Sequence, residues 1–195
     1  MKENPDGRSP RWEATHRRIY FVGLDLFEEH GFDQVSVGQI AKGARISVPT
    51  FYAHYASKEH VIMQLPTAAD IDLLMSSQPA SLPVAERILR AAPVFFEKFA
   101  EEDRLLTRWM IIARTPSLRA RAAEFERTAA GLVADALPAE PGASPTAAER
   151  IVVHAYLAAF TEGMLAWADA GGTTDLQDEL ATAFAALQGV RLPEA

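Results

Sequence analysis

Apolar residues recur along this chain at spacings of three and four, which marks helices with one buried face. Ile19, Val22, Gly23, Leu26 and Phe27 form the first stripe and predict a helix from about Arg11 to His30, closed by Gly31. Ser36-x-x-Gln39 is a capping box that opens a short helix ending near Gly43 and Ala44. A turn of three to four residues then leads to Ser47, a good N-cap, with Pro49 in the first turn of the next helix. Phe51 and Tyr55, four apart, share the face of that helix that suits burial, and Val48, Thr50, Tyr52 and His54 share the other. Ser57 is expected to cap a further helix, with Lys58 at its start opposing the dipole.

That further helix runs toward Met75 with a kink or break at Pro66. After a loop over 76–83, Val84, Ile88, Ala92, Phe95 and Phe99 line one face of a helix carrying Pro93. A short apolar helix covers 103–114, and Thr115-Pro116 starts another, striped by Leu118, Ala122, Phe125, Ala129, Leu132 and Ala136. Ser144-Pro145 opens a long helix to about Ala170, ended by Gly171-Gly172. Thr174-x-x-Gln177 reads as the capping box of a final helix. No stretch alternates as a strand would. The pattern predicts an all-α chain: an arm at 1–10, a three-helix helix-turn-helix domain at 11–56, and a six-helix regulatory and dimerisation domain at 57–195.

Two short helices joined by a tight turn place the second in a DNA major groove, where its first residues reach the bases. The run Arg18 to Phe32, then Ser36-Val37 and Ile40-Ala41, then Pro49-Thr50-Phe51-Tyr52-x-His54-Tyr55-x-Ser57-Lys58-Glu59, resembles the DNA-binding domain of the TetR family over residues 12–62. The resemblance implies operator DNA as partner. It assigns the recognition helix capped by Ser47 to the DNA, with base contacts from Val48, Pro49, Thr50 and Tyr52 and phosphate contacts from His54 and Lys58. Two positions depart from the family pattern. Arg45 stands where a turn glycine is usual, and Gly38 stands where a long polar side chain often meets the DNA.

Charge sharpens this reading. The chain carries a net charge of −7, yet residues 1–60 hold eight basic and eight acidic side chains. The whole excess lies in 61–195, while 42–58 contains Lys42, Arg45 and Lys58 and no acid. Positive charge therefore gathers where a DNA backbone would lie. With no cysteine, disulfides and thiolate metal sites are excluded, and His16, His30, His54, His60 and His154 show no metal spacing. No uninterrupted apolar run reaches the roughly 18 residues of a membrane span, so a cytoplasmic chain without a membrane partner is expected. No catalytic or nucleotide-binding motif occurs, and neither an enzyme nor a cofactor is expected.

Ala155, Ala159 and Gly163 form a small-residue line on the long helix, and Leu180 and Phe184 offer apolar bulk on the last. The resemblance implies that these helices pair with a second copy in a homodimer; the alternative is burial within one subunit. Phe95, Phe96, Phe99, Trp109, Met110, Tyr156 and Phe160 suit a ligand cavity or a core, and the resemblance implies a cavity. The stretch from Arg108 to Arg121 resembles the mycofactocin-type regulators of actinobacteria, which favours a long apolar or acyl ligand. The expected function is a ligand-responsive transcriptional regulator, foremost a repressor. The rival reading is a helical apolar-ligand carrier or small enzyme without DNA binding.

Overall fold

The computed structural model describes residues 9–63, 66–99, 104–137 and 143–188, with the backbone alone described at 96–99. Ten α-helices and no strand occur among them: α1 Pro10–His30, α2 Val37–Gly43, α3 Val48–His54, α4 Lys58–Ile62, α5 Ala68–Ser76, α6 Val84–Phe99, α7 Leu105–Arg114, α8 Pro116–Asp135, α9 Ala147–Asp169 and α10 Leu176–Gln188. A short 3-10 turn, Phe32–Gln34, joins α1 to α2. The all-α class holds. The tenth helix arises because, of the kink or break expected at Pro66, the structure has the break, so that stretch counts as two helices. Met63 leaves α4 with φ −94° and ψ 70°, and α5 starts afresh with a capping box between Thr67 and Asp70. Pro66 has no N–H to carry a helix through that gap and disfavours helical backbone before it.

The chain forms two compact units, Met1–Gln64 and Leu65–Ala195. The sequence reading draws the boundary after Ala56, but α4 belongs to the first unit. The reason lies in α1: a Cβ on Gly23 would stand 2.8 Å from Val61 Cγ1, so the glycine lets α4 approach α1 closely. Around that contact Ile19, Leu24, Phe27, Val35, Ile40, Phe51, Val61 and Ile62 are almost wholly buried.

In the second unit α9 is the central helix, touching α6, α7, α8 and α10. By length and composition it is the one described helix that could cross a membrane. Burial of Val153, Tyr156, Ala159, Met164, Leu165 and Ala168 gives that apolarity a place in the core. The stripe of α8 holds at Leu118 and Ala122; further on Ala130, Val133 and Ala134 are buried, and the expected Ala129, Leu132 and Ala136 are half-buried beside them. Arg87 is buried at 6% exposure, and its two terminal nitrogens donate to the Met75 and Leu137 carbonyls, both at 3.0 Å. It ties the last turn of α5 to the end of α8.

Several caps differ from expectation. Ser57 and Thr115 make no side-chain cap hydrogen bond. Thr146, two residues after Ser144, caps α9 through a capping box with Glu149. Asp175 replaces Thr174 at α10, accepting from the N–H groups of Gln177 at 2.8 Å and Asp178 at 3.2 Å. The backbone N–H of Thr146, and then its hydroxyl, hold the Glu149 carboxyl below the usual carboxylate range. A lowered pKa contributes stability above the ordinary value and loses it as pH falls through the lowered one. In thermal melts, the gap between wild type and Glu149→Gln is therefore expected to be widest at neutral pH and to close on acidification.

Candidate nucleic-acid interface

The helix-turn-helix is built by local hydrogen bonds that the sequence announces. Gln39 Oε1 accepts from the Ser36 N–H at 2.8 Å while Ser36 Oγ accepts from the Gln39 N–H at 3.3 Å, which starts α2. At the other end Arg45 takes φ +54°, the only positive φ on a non-glycine among the described residues. The Ile46 N–H reaches back to the Ala41 carbonyl at 2.9 Å and the Arg45 N–H to Lys42 at 3.1 Å. This is a Schellman closure with arginine at the position glycine usually holds, so the turn is retained and Arg45 bears its left-handed strain, about 1 kcal/mol.

Two residues later Ser47 Oγ accepts the Thr50 N–H at 3.1 Å and bonds Thr50 Oγ1 at 2.7 Å, opening α3. The two faces of α3 separate as its spacing requires. Phe51 and Tyr55 are buried, at 0% and 4% exposure, while Val48 and Tyr52 stand out at 40% and 54%. Pro49 and Ala53 are exposed beside them, and Thr50 is half-buried. A thymine methyl or a base edge would thus meet Val48, Pro49, Thr50 and Tyr52 on one surface. Lys42 and Arg45 are exposed just before it.

His54 and Lys58 are placed differently from the expectation of simple phosphate contacts. The His54 ring stacks on Trp12 at 4.6 Å. Trp12 stacks on His16 at 4.7 Å, and His16 on Tyr55 at 4.1 Å. This aromatic column ties the start of α1 to the end of α3. The sequence reading missed it, although Trp12 and His16 lie four apart on one helical face. The Lys58 ammonium is turned inward. It donates to the carbonyls of Phe32 at 2.9 Å and Val35 at 3.1 Å and lies 4.3 Å from the centre of the Phe32 ring. An open groove of about 470 Å3 runs beside Lys58, lined also by Tyr52, Ser36 and Glu59. Arg18 of α1 donates through Nε to the Ala44 carbonyl at 2.9 Å.

Gly38 is exposed, and a Cβ there would meet nothing nearer than Ser36 Oγ at 3.8 Å. Gly38→Arg is therefore expected to fit. It should raise the stability of the first unit by up to about 1 kcal/mol, the helix-propensity difference, and steepen the salt dependence of DNA binding by about one phosphate contact. A melting curve and a salt series on the same variant check both.

The second unit corrects four of the five expected dimer residues. A Cβ on Gly163 would lie 3.0 Å from Leu180 Cδ2 and 3.3 Å from Ala183 Cβ, so this glycine joins α9 to α10 within one chain. Ala159, Leu180 and Phe184 are likewise buried inside the protomer, at 9%, 4% and 8% exposure, and Ala155 is half-buried. What α9 leaves uncovered is a separate stripe that includes Ile151 at 69% exposure, Glu162 and Ala166. Of the candidate pocket residues, Phe95 meets Phe160 edge-on at 6.3 Å, and Tyr156 stacks on Phe184 at 5.7 Å. Trp109 and Met110 are half-buried on α7, and the side chains of Phe96 and Phe99 lie outside the described residues.

Residues 19–65 match the family model described as "Bacterial regulatory proteins, tetR family", and residues 82–191 match the "MftR C-terminal domain". The putative mycofactocin biosynthesis transcriptional regulator MftR of Mycobacterium tuberculosis is 33% identical over 114 residues, 56% of this chain and 57% of that protein. The HTH-type transcriptional regulator EthR of Mycolicibacterium smegmatis is 33% identical over 102 residues, 49% of this chain and 47% of that protein. The chain thus spans about half the length of these curated relatives. In fold it resembles FadR of Thermus thermophilus, a TetR-family repressor solved with lauroyl-CoA, at 22% identity and a TM-score of 0.52, over 92% of this chain and 97% of that one.

Proposed function

Because this chain belongs to the TetR family of bacterial regulatory proteins, with a second unit of the MftR type, we propose that it is a homodimeric, operator-binding transcriptional repressor released by a small apolar or acyl ligand. The observation that carries the DNA-binding half is the outer face of α3, where Val48, Pro49 and Tyr52 stand exposed on a helix whose inner face is fully buried. An exposed apolar and aromatic face beside Lys42 and Arg45 suits base contacts flanked by a phosphate backbone. Thr50 supplies a hydroxyl at the same end, and Ser47 holds it there.

One such face reads few base pairs, and two copies set about 34–36 Å apart read successive major grooves. The stripe of Ile151, Ala155, Ala158, Glu162 and Ala166 on α9 is the surface we assign to the twofold partner, with the outer face of α10. The acyl ligand is supported by the MftR-type match and by the aromatic side chains of Phe95, Trp109, Tyr156 and Phe160 among α6, α7 and α9. A ligand that favours the dimer state unable to bind DNA shifts the population and releases the operator, and DNA then weakens the ligand by the same factor.

The test begins with selection of duplexes from a random library by the full chain. Anisotropy on the enriched duplex across a salt series follows, with lauroyl-CoA added last. Selective binding that weakens steeply with salt is the expected result. Failure to enrich any sequence defeats the repressor reading in favour of a ligand carrier. Selective binding untouched by lauroyl-CoA and by free fatty acids removes only the acyl ligand. Sedimentation at micromolar concentration should give twice the 21.3 kDa chain mass.

A further inference from the structure

Resting on the DNA-binding reading above, we infer that Lys58 and Arg18 are positioning residues: together they brace the two ends of α2 and so set the orientation of α3 on DNA. The connection into α2 is the turn Phe32–Gln34 followed by Val35. Lys58, from α4, donates to the Phe32 carbonyl at the start of that turn and to the Val35 carbonyl just after it, and its charge rests on the Phe32 ring. Two of its three N–H donors are engaged by these carbonyls, and the ring face favours the cation where it stands. At the other end of α2 the C-cap residue is Ala44, fully buried, and its carbonyl accepts from Arg18 of α1 at 2.9 Å. Carbonyls at a helix C-terminus have no partner within the helix, and a cation there also meets the negative end of the dipole.

These braces matter because α2 has seven residues and cannot persist as an isolated helix. Its ends are fixed from outside, by one cation from α1 and one from α4. Only Arg45, Ile46 and Ser47 separate Ala44 from the first residue of α3. A shift at Ala44 is therefore passed directly to the base-reading face. The family resemblance implies a phosphate contact for Lys58, whereas the geometry gives both cations to the protein backbone.

The experiment uses the full chain, the duplex enriched from a random library by wild type, and an unrelated duplex. Binding is measured by anisotropy over a salt series, well below the melting temperature. Lys58→Met keeps the aliphatic stem and removes the donors. Its affinity for the selected duplex should fall about tenfold, the order of one lost charged hydrogen bond, with the salt slope unchanged. Lys58→Arg should recover part of that loss, since a guanidinium can serve both carbonyls. Arg18→Gln, at a side chain already largely in solvent, should give the same pattern in a variant that stays folded. A slope reduced by about one makes the residue a phosphate contact and overturns the proposal. Affinities equal to wild type overturn it as well, leaving the two side chains a purely structural role. If wild type itself enriches no sequence, the DNA-binding reading fails first, an outcome distinct from a variant effect.

Discussion

Phe51→Ala is expected to bring the first unit to the edge of unfolding, whereas Tyr52→Ala should leave it folded and remove its selective DNA binding. The two side chains are adjacent, with ring centres 5.5 Å apart and planes at 90°. Phe51 has no exposed surface and sits among the largest buried side chains of the unit. Truncating a buried phenylalanine costs about 3–5 kcal/mol in lost burial and residual cavity. A unit of this size has little more than about 5 kcal/mol in reserve. Tyr52 is more than half exposed. Its truncation should shift stability by about 0.5 kcal/mol, while at least tenfold in affinity is expected to go with the aromatic contact, the order of a binding hot spot. Differential scanning calorimetry and anisotropy separate the outcomes. Wild-type affinity in Tyr52→Ala would remove the outer face of α3 from the interface.

The second large effect falls on Arg87. Arg87→Met should destabilise the second unit by about 3 kcal/mol, because two buried carbonyls lose their donor at once and each unsatisfied group costs about 1–3 kcal/mol. Both acceptors lie at helix ends, Met75 in the last turn of α5 and Leu137 just past α8. The guanidinium thus also sits where two helix dipoles favour positive charge. Its Nε is buried with no hydrogen-bond partner, so the net value of the residue stays below what two charged hydrogen bonds suggest. Arg87→Lys should recover less than half, since one ammonium cannot reproduce a fork that reaches two helix ends. Equilibrium urea unfolding is the measurement, and a midpoint equal to wild type for Arg87→Met would show the clamp to be idle.

Much of this fold is written in the sequence at short range. The capping box at Ser36, the N-cap at Ser47 and the opposed faces of α3 depend on contacts within four residues, and the structure holds them as expected. The same locality explains the misplaced caps. Ser144 and Thr174 are sound capping residues, yet Thr146 and Asp175 lie within two residues and win because Glu149 and the first turn of α10 complete their geometry. The backbone partners of Lys58 and Arg18 are hidden from the sequence for a different reason. Their carbonyl partners lie 26 and 23 residues away for Lys58 and 26 away for Arg18, and only the fold brings them together. Gly163 reads as a dimer contact because a small residue permits close approach without saying which helix approaches. Nothing among the sequence neighbours of Arg87 announces its two distant carbonyls.

The position of α9 has a consequence for how the second unit comes apart. Four of its five companion helices touch α9, so the unit resembles a wheel with one hub. No rim helix among those four can be released without baring part of the hub's apolar surface to water. Loosening the hub, conversely, frees all four together. Partial opening is thereby penalised at every point, and the unit should melt as a single cooperative body. A molecule lodged against α9 would be felt along the whole rim, because the hub is the common neighbour through which α6, α7, α8 and α10 meet.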